Sequence, residues 1–138
     1  MKQQVSASRA SQRVSGKPAV RTRYFRDLLV WQKSMQLARA IYRNTSSFPR
    51  TEVFGLTGQM RRAAVSVPSN IAEGHGRLTD GSMRVFLAQA RGSLFELETQ
   101  IELASGLGYL KPEAEKELLE SCREIGRMLN GLLAVLES

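Results

Sequence analysis

The amino-acid sequence predicts an all-α protein, an antiparallel up-down-up-down four-helix bundle. Apolar residues recur at steps of three and four through four segments, which is the period of an amphipathic helix. No segment alternates apolar and polar residues over a useful length, so no sheet is expected. The connections between the segments are short, and helices joined by short connections pack as antiparallel neighbours.

A basic tail, residues 1–24, is predicted to precede the bundle and to be disordered. Residues 1–26 carry seven basic side chains and no acidic one, which accounts for the formal net charge of +7. The rest of the chain holds 13 basic and 13 acidic residues and is neutral. Two interpretations of the tail stay open: a solvated extension, or an arm that binds phosphate backbones electrostatically. An organelle transit peptide is a weaker third interpretation.

Residues 25–138 are predicted to form the bundle, and its first helix is expected over residues 27–44. Asp27 is the expected N-cap, and Pro49 follows the helix, where it blocks continuation. The apolar residues of its predicted core stripe are Leu28, Trp31, Met35, Ala38 and Tyr42, and Val30, Leu37 and Ile41 widen this stripe.

The second helix is expected over residues 52–75, with Thr51 as its cap and Gly74 and Gly76 as its end. Pro68 lies inside this helix and removes one backbone donor. Three neighbouring side chains are expected to compensate by bonding to the backbone: Ser66, Ser69 and Asn70.

The third and fourth helices have the cleanest periodicity. In the third, expected over residues 80–106, a 3.5-residue repeat typical of a bundle seam comprises Met83, Leu87, Ala90, Leu94, Leu97, Ile101 and Ala104. Gly108 is expected to end the third helix, and Pro112 to open the fourth. The repeat of the fourth comprises Leu118, Cys122, Ile125, Leu129, Leu132 and Leu136.

Further apolar residues lie off these repeats and predict a second interface, namely self-association. They are Leu119, Met128, Leu133 and Val135 on the fourth helix, and Phe95 and Leu103 on the third. The alternative is that they cover the flanks of the same core. Charge is also segregated, since residues 50–91 hold six basic and three acidic residues while residues 92–120 hold two and seven. A head-to-tail assembly could pair these two surfaces.

The sequence indicates no catalytic, cofactor or metal site, so we expect a protein that is not an enzyme and has no small-molecule substrate. His75 stands alone and is expected at the surface, and the one cysteine, Cys122, is expected to be a small buried hydrophobe. Because the sequence has no apolar run of membrane length and no N-terminal hydrophobic run, no membrane partner and a cytoplasmic location are expected.

Two polar rows predict a hydrogen-bonded seam between the second and third helices. Steps of three and four place each row on one helical face. The predicted members of the seam are Ser66, Asn70, Glu73, Ser93 and Glu96. Gly92 beside Ser93 is small enough to permit close approach. We interpret the seam as a network that fixes helix register, in preference to a catalytic site.

Nucleic-acid binding is the second function that the residues permit. The side chains expected to contact RNA or DNA are Arg21, Arg23, Arg26, Arg61, Arg62 and Arg77. No aromatic stacking row or base-reading motif accompanies them, so such binding is expected to be weakly sequence-specific and strongly salt-dependent.

The chain resembles a bacterial family first noted as reading frames in intervening sequences of 23S ribosomal RNA genes. The most specific motif is QMRRAAVSVPSNIAEG at residues 59–74, and further matching segments are residues 25–31, 48–52, 76–77, 90–98 and 107–110. The resemblance implies an antiparallel four-helix bundle that assembles into a homopentamer. It also implies similarity to the accessory variability protein of diversity-generating retroelements, a basic pentamer that binds reverse transcriptase and nucleic acid. The body of the present chain is neutral instead.

Together these features predict a cytosolic, oligomeric interaction or scaffold protein that acts on its own or with RNA. The alternative is a nucleic-acid-binding accessory factor for RNA processing or reverse transcription.

Overall fold

The computed structural model describes residues 22–137, and these residues contain four α-helices, two short 3₁₀ helices and no strand. The four helices are α1 (Leu29–Thr45), α2 (Leu56–His75), α3 (Asp80–Gly106) and α4 (Pro112–Glu137). The 3₁₀ helices Phe25–Asp27 and Arg50–Glu52 precede α1 and α2. The predicted all-α fold of four helices is therefore confirmed over this range. Nearly all of the predicted basic tail lies outside it.

Contacts between successive helices run in opposite order along the two partners. Between α2 and α3 the pairs are Ser66 with Ser93 and Gly74 with Phe86. Between α3 and α4 they are Ser105 with Glu115 and Arg84 with the carbonyl of Leu136. Helix α1 packs against both α2 and α4, which brings the four helices around one core.

The first two α-helices begin later than predicted. Asp27 belongs to a 3₁₀ turn and does not cap α1, whose N-cap position is Leu28. Helix α2 begins at Leu56 instead of residue 52, because the non-helical backbone of Gly55 separates it from the preceding turn. The Glu52 carboxylate, not Thr51, accepts from the Leu56 N–H, with an N–O distance of 3.0 Å. A side chain in a turn before the helix thus supplies the cap.

The third and fourth helices have the predicted starts and the predicted glycine between them. The Thr79 hydroxyl caps α3 by accepting from the Ser82 N–H at 3.1 Å. Gly108 adopts a left-handed φ of 81°, and the N–H groups of Gly108 and Tyr109 donate to the carbonyls of Ser105 and Ala104. This pair of bonds is the Schellman ending, which favours glycine at the left-handed position.

The predicted repeats of α3 and α4 form the centre of the core. All seven repeat positions of α3 are at most 2% exposed. On α4 the half-buried Leu132 is the exception, and the neighbouring Leu133 is buried in the core. Leu119 is also buried, so part of the surplus apolar surface does cover flanks of the same core. Phe95 and Leu103 remain 53% exposed, as a second interface would require.

The wide apolar stripe predicted for α1 is divided between the core and an outer surface. The side chains of α1 buried in the bundle are Val30, Ser34, Leu37, Ala38, Ile41 and Thr45. Trp31 and Met35 are only partly buried, and Tyr42 is exposed. The predicted stripe contributes Leu28, Ala38 and the three residues that widen it to the core, while the other three members face a groove on the outside of the bundle.

Candidate functional site

Three of the five residues predicted for the polar seam are joined by hydrogen bonds. The hydroxyls of Ser66 and Ser93 lie 2.8 Å apart and bridge α2 to α3. The Asn70 amide donates to the Ser66 hydroxyl at 3.0 Å and to the Ser66 carbonyl at 2.9 Å. Pro68 lacks the backbone N–H that would donate to the Ala64 carbonyl. The Ser66 carbonyl is a different acceptor. The Asn70 bonds therefore strengthen the seam without replacing the missing proline bond.

The two glutamates predicted for the seam make no bridge between the helices. Glu73 is exposed and forms an ion pair with Arg77, one turn along the chain, at 3.0 Å. Glu96 accepts from the Gln100 amide at 3.4 Å within α3. Because no titratable group joins the seam, it is a hydroxyl and amide network suited to fixing register.

The close approach between α2 and α3 occurs at Gly74, not at Gly92 as predicted. A Cβ atom on Gly74 would lie 3.1 Å from the Phe86 Cβ and 3.3 Å from the Met83 carbonyl oxygen. A Cβ on Gly92 would meet no atom within 4 Å. The sequence signal for this contact is a glycine before the end of a helix, a position that also predicts a helix stop.

The predicted nucleic-acid arginines divide into two groups at opposite ends of α2. The α2 axis between Arg61 and the helix end near Arg77 is roughly 20 Å long. Arg62 lies beside Arg61 and is exposed, whereas Arg23 and Arg26 belong to the other end, as described next. Arg21 lies outside the described residues. The arginines therefore do not form one continuous surface.

The start of the described chain is attached to the end of α2. The His75 Nε2–H donates to the backbone carbonyl of Thr22, so this histidine is half-buried and not the surface residue that we expected. The side chains of Arg23 and Arg26 lie over the rings of Tyr24 and Phe25, at 5.1 and 4.7 Å from the ring centres. Both arginines remain exposed where the chain leads towards its basic N-terminal segment.

Two of the predicted nucleic-acid arginines already have intramolecular partners. The Arg61 Nε donates to the Thr45 hydroxyl at 2.9 Å, and its guanidinium lies 4.6 Å from the centre of the Tyr42 ring. Arg77 pairs with Glu73 and lies 4.4 Å from the centre of the Phe86 ring. Both side chains therefore stabilise the packing between elements, whether or not they also bind a ligand.

An apolar groove with a volume of about 670 Å³ lies on the outside of α1 and α2. We call it the α1–α2 groove. Its apolar walls come from Phe25, Trp31, Met35, Ala38, Tyr42, Val65, Pro68 and Ala72. Arg39 and Arg43 are exposed at its edge. The sequence predicts Trp31, Met35 and Tyr42 as core residues. The signal for an outer surface is the width of the apolar stripe, which also contains Val30, Leu37 and Ile41.

The reactive side chains outside the groove are engaged or buried. Burial raises the pKa of the Cys122 thiol to about 12, with a further contribution from the negative charge of Glu98. The Tyr109 hydroxyl donates to Glu52 at 2.9 Å, and this hydrogen bond is the main reason that the pKa of Tyr109 is raised. Within residues 22–137 no three His, Cys, Asp or Glu side chains are grouped so that they could hold a metal ion.

No helix in the described range combines the length and apolar character needed to cross a membrane.

Comparison with known proteins identifies a family. No curated protein matches the chain. The model of the 23S rRNA-intervening sequence protein family matches residues 26–131, which include the whole seam, the α1–α2 groove almost completely and most of α4. The chain therefore belongs to the 23S rRNA-intervening sequence protein family.

Proposed function

We propose that this protein is a non-enzymatic cytosolic interaction module that associates with copies of itself through the α1–α2 groove. The groove carries the proposal, because it exposes contiguous apolar surface between two otherwise well-packed helices. Apolar surface of this kind on a small domain marks an interaction site. Tyr42 and Val65, on its two sides, are 45% and 43% exposed.

The surface that would fill the groove lies on α3 of a neighbouring copy. Phe95 and Leu103 are exposed, eight residues apart, and therefore near one helical face. Glu96 and Glu102 are exposed beside them, and their charge is opposite to that of Arg39 and Arg43 at the groove. Since the two surfaces differ, the contact is heterologous and forms a ring when the rotation closes. The family resemblance supports a ring of five.

The experiment compares two valine substitutions by sedimentation velocity. Val65→Glu places a charge in the groove, whereas the control, Val53→Glu, places the same charge on a similarly exposed side chain in the turn before α2, outside both the groove and α3. We expect Val65→Glu to dissociate the assembly and Val53→Glu to leave it intact. An assembly of unchanged size for Val65→Glu would refute the groove as the interface.

A second candidate function, a nucleic-acid-binding accessory factor, is favoured by the position of Arg23 and Arg26. The Thr22 contact to His75 holds these exposed side chains beside the end of α2, next to the basic N-terminal segment. The test is a gel-shift assay with structured RNA at two salt concentrations. We expect the double substitution of Arg23 and Arg26 to Gln to weaken binding at low salt, and the exposed α4 pair Arg123 and Arg127 to serve as the matched control. No binding at low salt would exclude this function.

A further inference from the structure

A second cavity lies at the C-terminal end of α1, where the α1–α2 connection meets the first turn of α2. Its volume is about 300 Å³, and its polar lining includes Arg50, Arg61 and Thr57. We propose that this cavity binds a terminal phosphate group, that is, a phosphate monoester, through these three residues. The proposal concerns a different site from the α1–α2 groove and does not depend on self-association.

The two arginines supply positive charge that the protein does not neutralise inside the cavity. The Arg50 side chain is exposed and has no hydrogen bond, ion pair or ring contact within the described residues. Arg61 uses its Nε and Nη2 to hold the Thr45 hydroxyl and the Tyr42 carbonyl, which fixes its guanidinium and leaves Nη1 without a protein partner in this range. A fixed guanidinium with unused donors is well suited to a phosphate oxygen.

Thr57 provides an independent indication of a polar ligand. It is 6% exposed, and its hydroxyl is buried without a hydrogen-bond partner among the described residues. The buried hydroxyls of Ser34 and Thr45, in contrast, donate to carbonyls four residues earlier at 2.7 Å. A buried hydroxyl without a partner destabilises a fold, and rotation of the Thr57 side chain towards the cavity that it lines would let a ligand oxygen provide the missing acceptor. Thr57 also belongs to the first turn of α2, where the helix dipole favours an anion.

The Glu52 carboxylate, which caps α2, is not part of the lining of this cavity. Both of its oxygens are held by other donors. One accepts from the Leu56 N–H at 3.0 Å, and the other accepts from the Tyr109 hydroxyl at 2.9 Å.

The walls favour a terminal phosphate over a phosphate within a nucleic-acid backbone. Phe48, Pro49 and Val53 supply an apolar wall against which one organic substituent can pack. A monoester has one such substituent and up to two negative charges, which matches two arginines. A backbone diester has two substituents and one charge. A small phosphorylated molecule and the 5′-phosphate end of an RNA present the same group, so the experiment includes both.

The experiment measures binding to the full chain by thermal shift and calorimetry. The probes are inorganic phosphate, adenosine monophosphate, and one short RNA prepared with a 5′-phosphate and with a 5′-hydroxyl. We expect a saturable rise in Tm with phosphate relative to chloride at equal ionic strength. Arg50→Gln should raise Kd by about tenfold or more, and Arg127→Gln, which removes an exposed charge on α4, should not. Thr57→Val should weaken binding without lowering the Tm of the unliganded protein.

Each outcome decides for or against the site. Binding of adenosine monophosphate alone identifies a small phosphate ester, and binding of the 5′-phosphorylated RNA alone identifies an RNA end; either supports the proposal. The absence of saturable phosphate binding overturns it, as does an equal effect of Arg50→Gln and Arg127→Gln. Binding of both the 5′-phosphate and the 5′-hydroxyl RNA with equal affinity overturns it as well, because the protein would then bind the backbone.

Discussion

Replacing Gly74 by Ala tests the packing of α2 on α3 most sharply. The new Cβ would lie 3.1 Å from the Phe86 Cβ and 3.3 Å from the Met83 carbonyl oxygen. One of these contacts is with backbone, so the helices must separate by a few tenths of an ångström to relieve it. Overpacking of this kind costs about 1–3 kcal/mol.

A matched glycine elsewhere isolates this steric effect from helix propensity. A Cβ on Gly131, exposed in α4, would meet nothing within 4 Å. Gly131→Ala should therefore gain about 1 kcal/mol from propensity alone. For Gly74→Ala the same gain, smaller near the helix end, offsets part of the steric cost. We expect Gly74→Ala to lose about 1–2 kcal/mol, and the two variants to differ by about 2–3 kcal/mol.

Thermal unfolding followed by far-UV circular dichroism measures both variants at one protein concentration. At this chain length about 1 kcal/mol corresponds to about 4 °C in Tm. We therefore expect Gly74→Ala to melt below the unmodified protein and Gly131→Ala to melt above it. If both variants melted higher by the same amount, the close contact between α2 and α3 at Gly74 would be refuted.

Two further predictions concern the seam and the buried thiol. Ser66→Ala removes the bridge to Ser93 and one acceptor of the Asn70 amide, and it should lower the free energy of unfolding, measured by chemical denaturation, by about 1 kcal/mol. Ser69 is exposed, so Ser69→Ala should lower it by almost nothing. Equal losses in the two variants would contradict a structural seam. Because the pKa of Cys122 is raised from 9.0 to about 12, the folded state holds the thiol proton more tightly than the unfolded state. Its contribution to stability is complete below pH 9 and is lost as the pH rises towards 12, by up to about 1.4 kcal/mol per pH unit. Cys122→Ala should show a smaller loss of stability over this pH range, and an identical slope would contradict the assignment.

The sequence predicted the regular part of the fold because periodicity reports which helical face is buried. Every residue of the predicted 3.5-residue repeat of α3 is buried in the core. On α1 the same reasoning predicted one wide apolar stripe, of which only one side is buried in the core. Both sides of the stripe have helical spacing, and Ser34 and Thr45 are buried in the core because their hydroxyls donate to the backbone one turn earlier. Their polarity concealed the core face, while Trp31 and Tyr42 made the groove face resemble a core.

The functional residues were predictable where the signal was local. The Ser66–Asn70 pair lies one helical turn apart, and the sequence identified it. The failure of Glu73 to join the seam follows from a local alternative, since Arg77 is available at the favourable spacing of four residues. Two features near the start of α2 could not be predicted: the cap by the Glu52 carboxylate and the Thr57 hydroxyl without a hydrogen-bond partner. Both depend on the residue at which α2 begins, which is set by turn geometry that composition does not determine.

The mass of the unmodified full-length chain in solution tests the proposed self-association most directly. Light scattering coupled to size-exclusion chromatography would measure it at several micromolar concentrations. We expect a single multiple of the 15.4 kDa chain mass, and the family resemblance predicts five times that mass. A species of 15.4 kDa at every concentration would contradict the account, since the α1–α2 groove would then have no second copy to cover it.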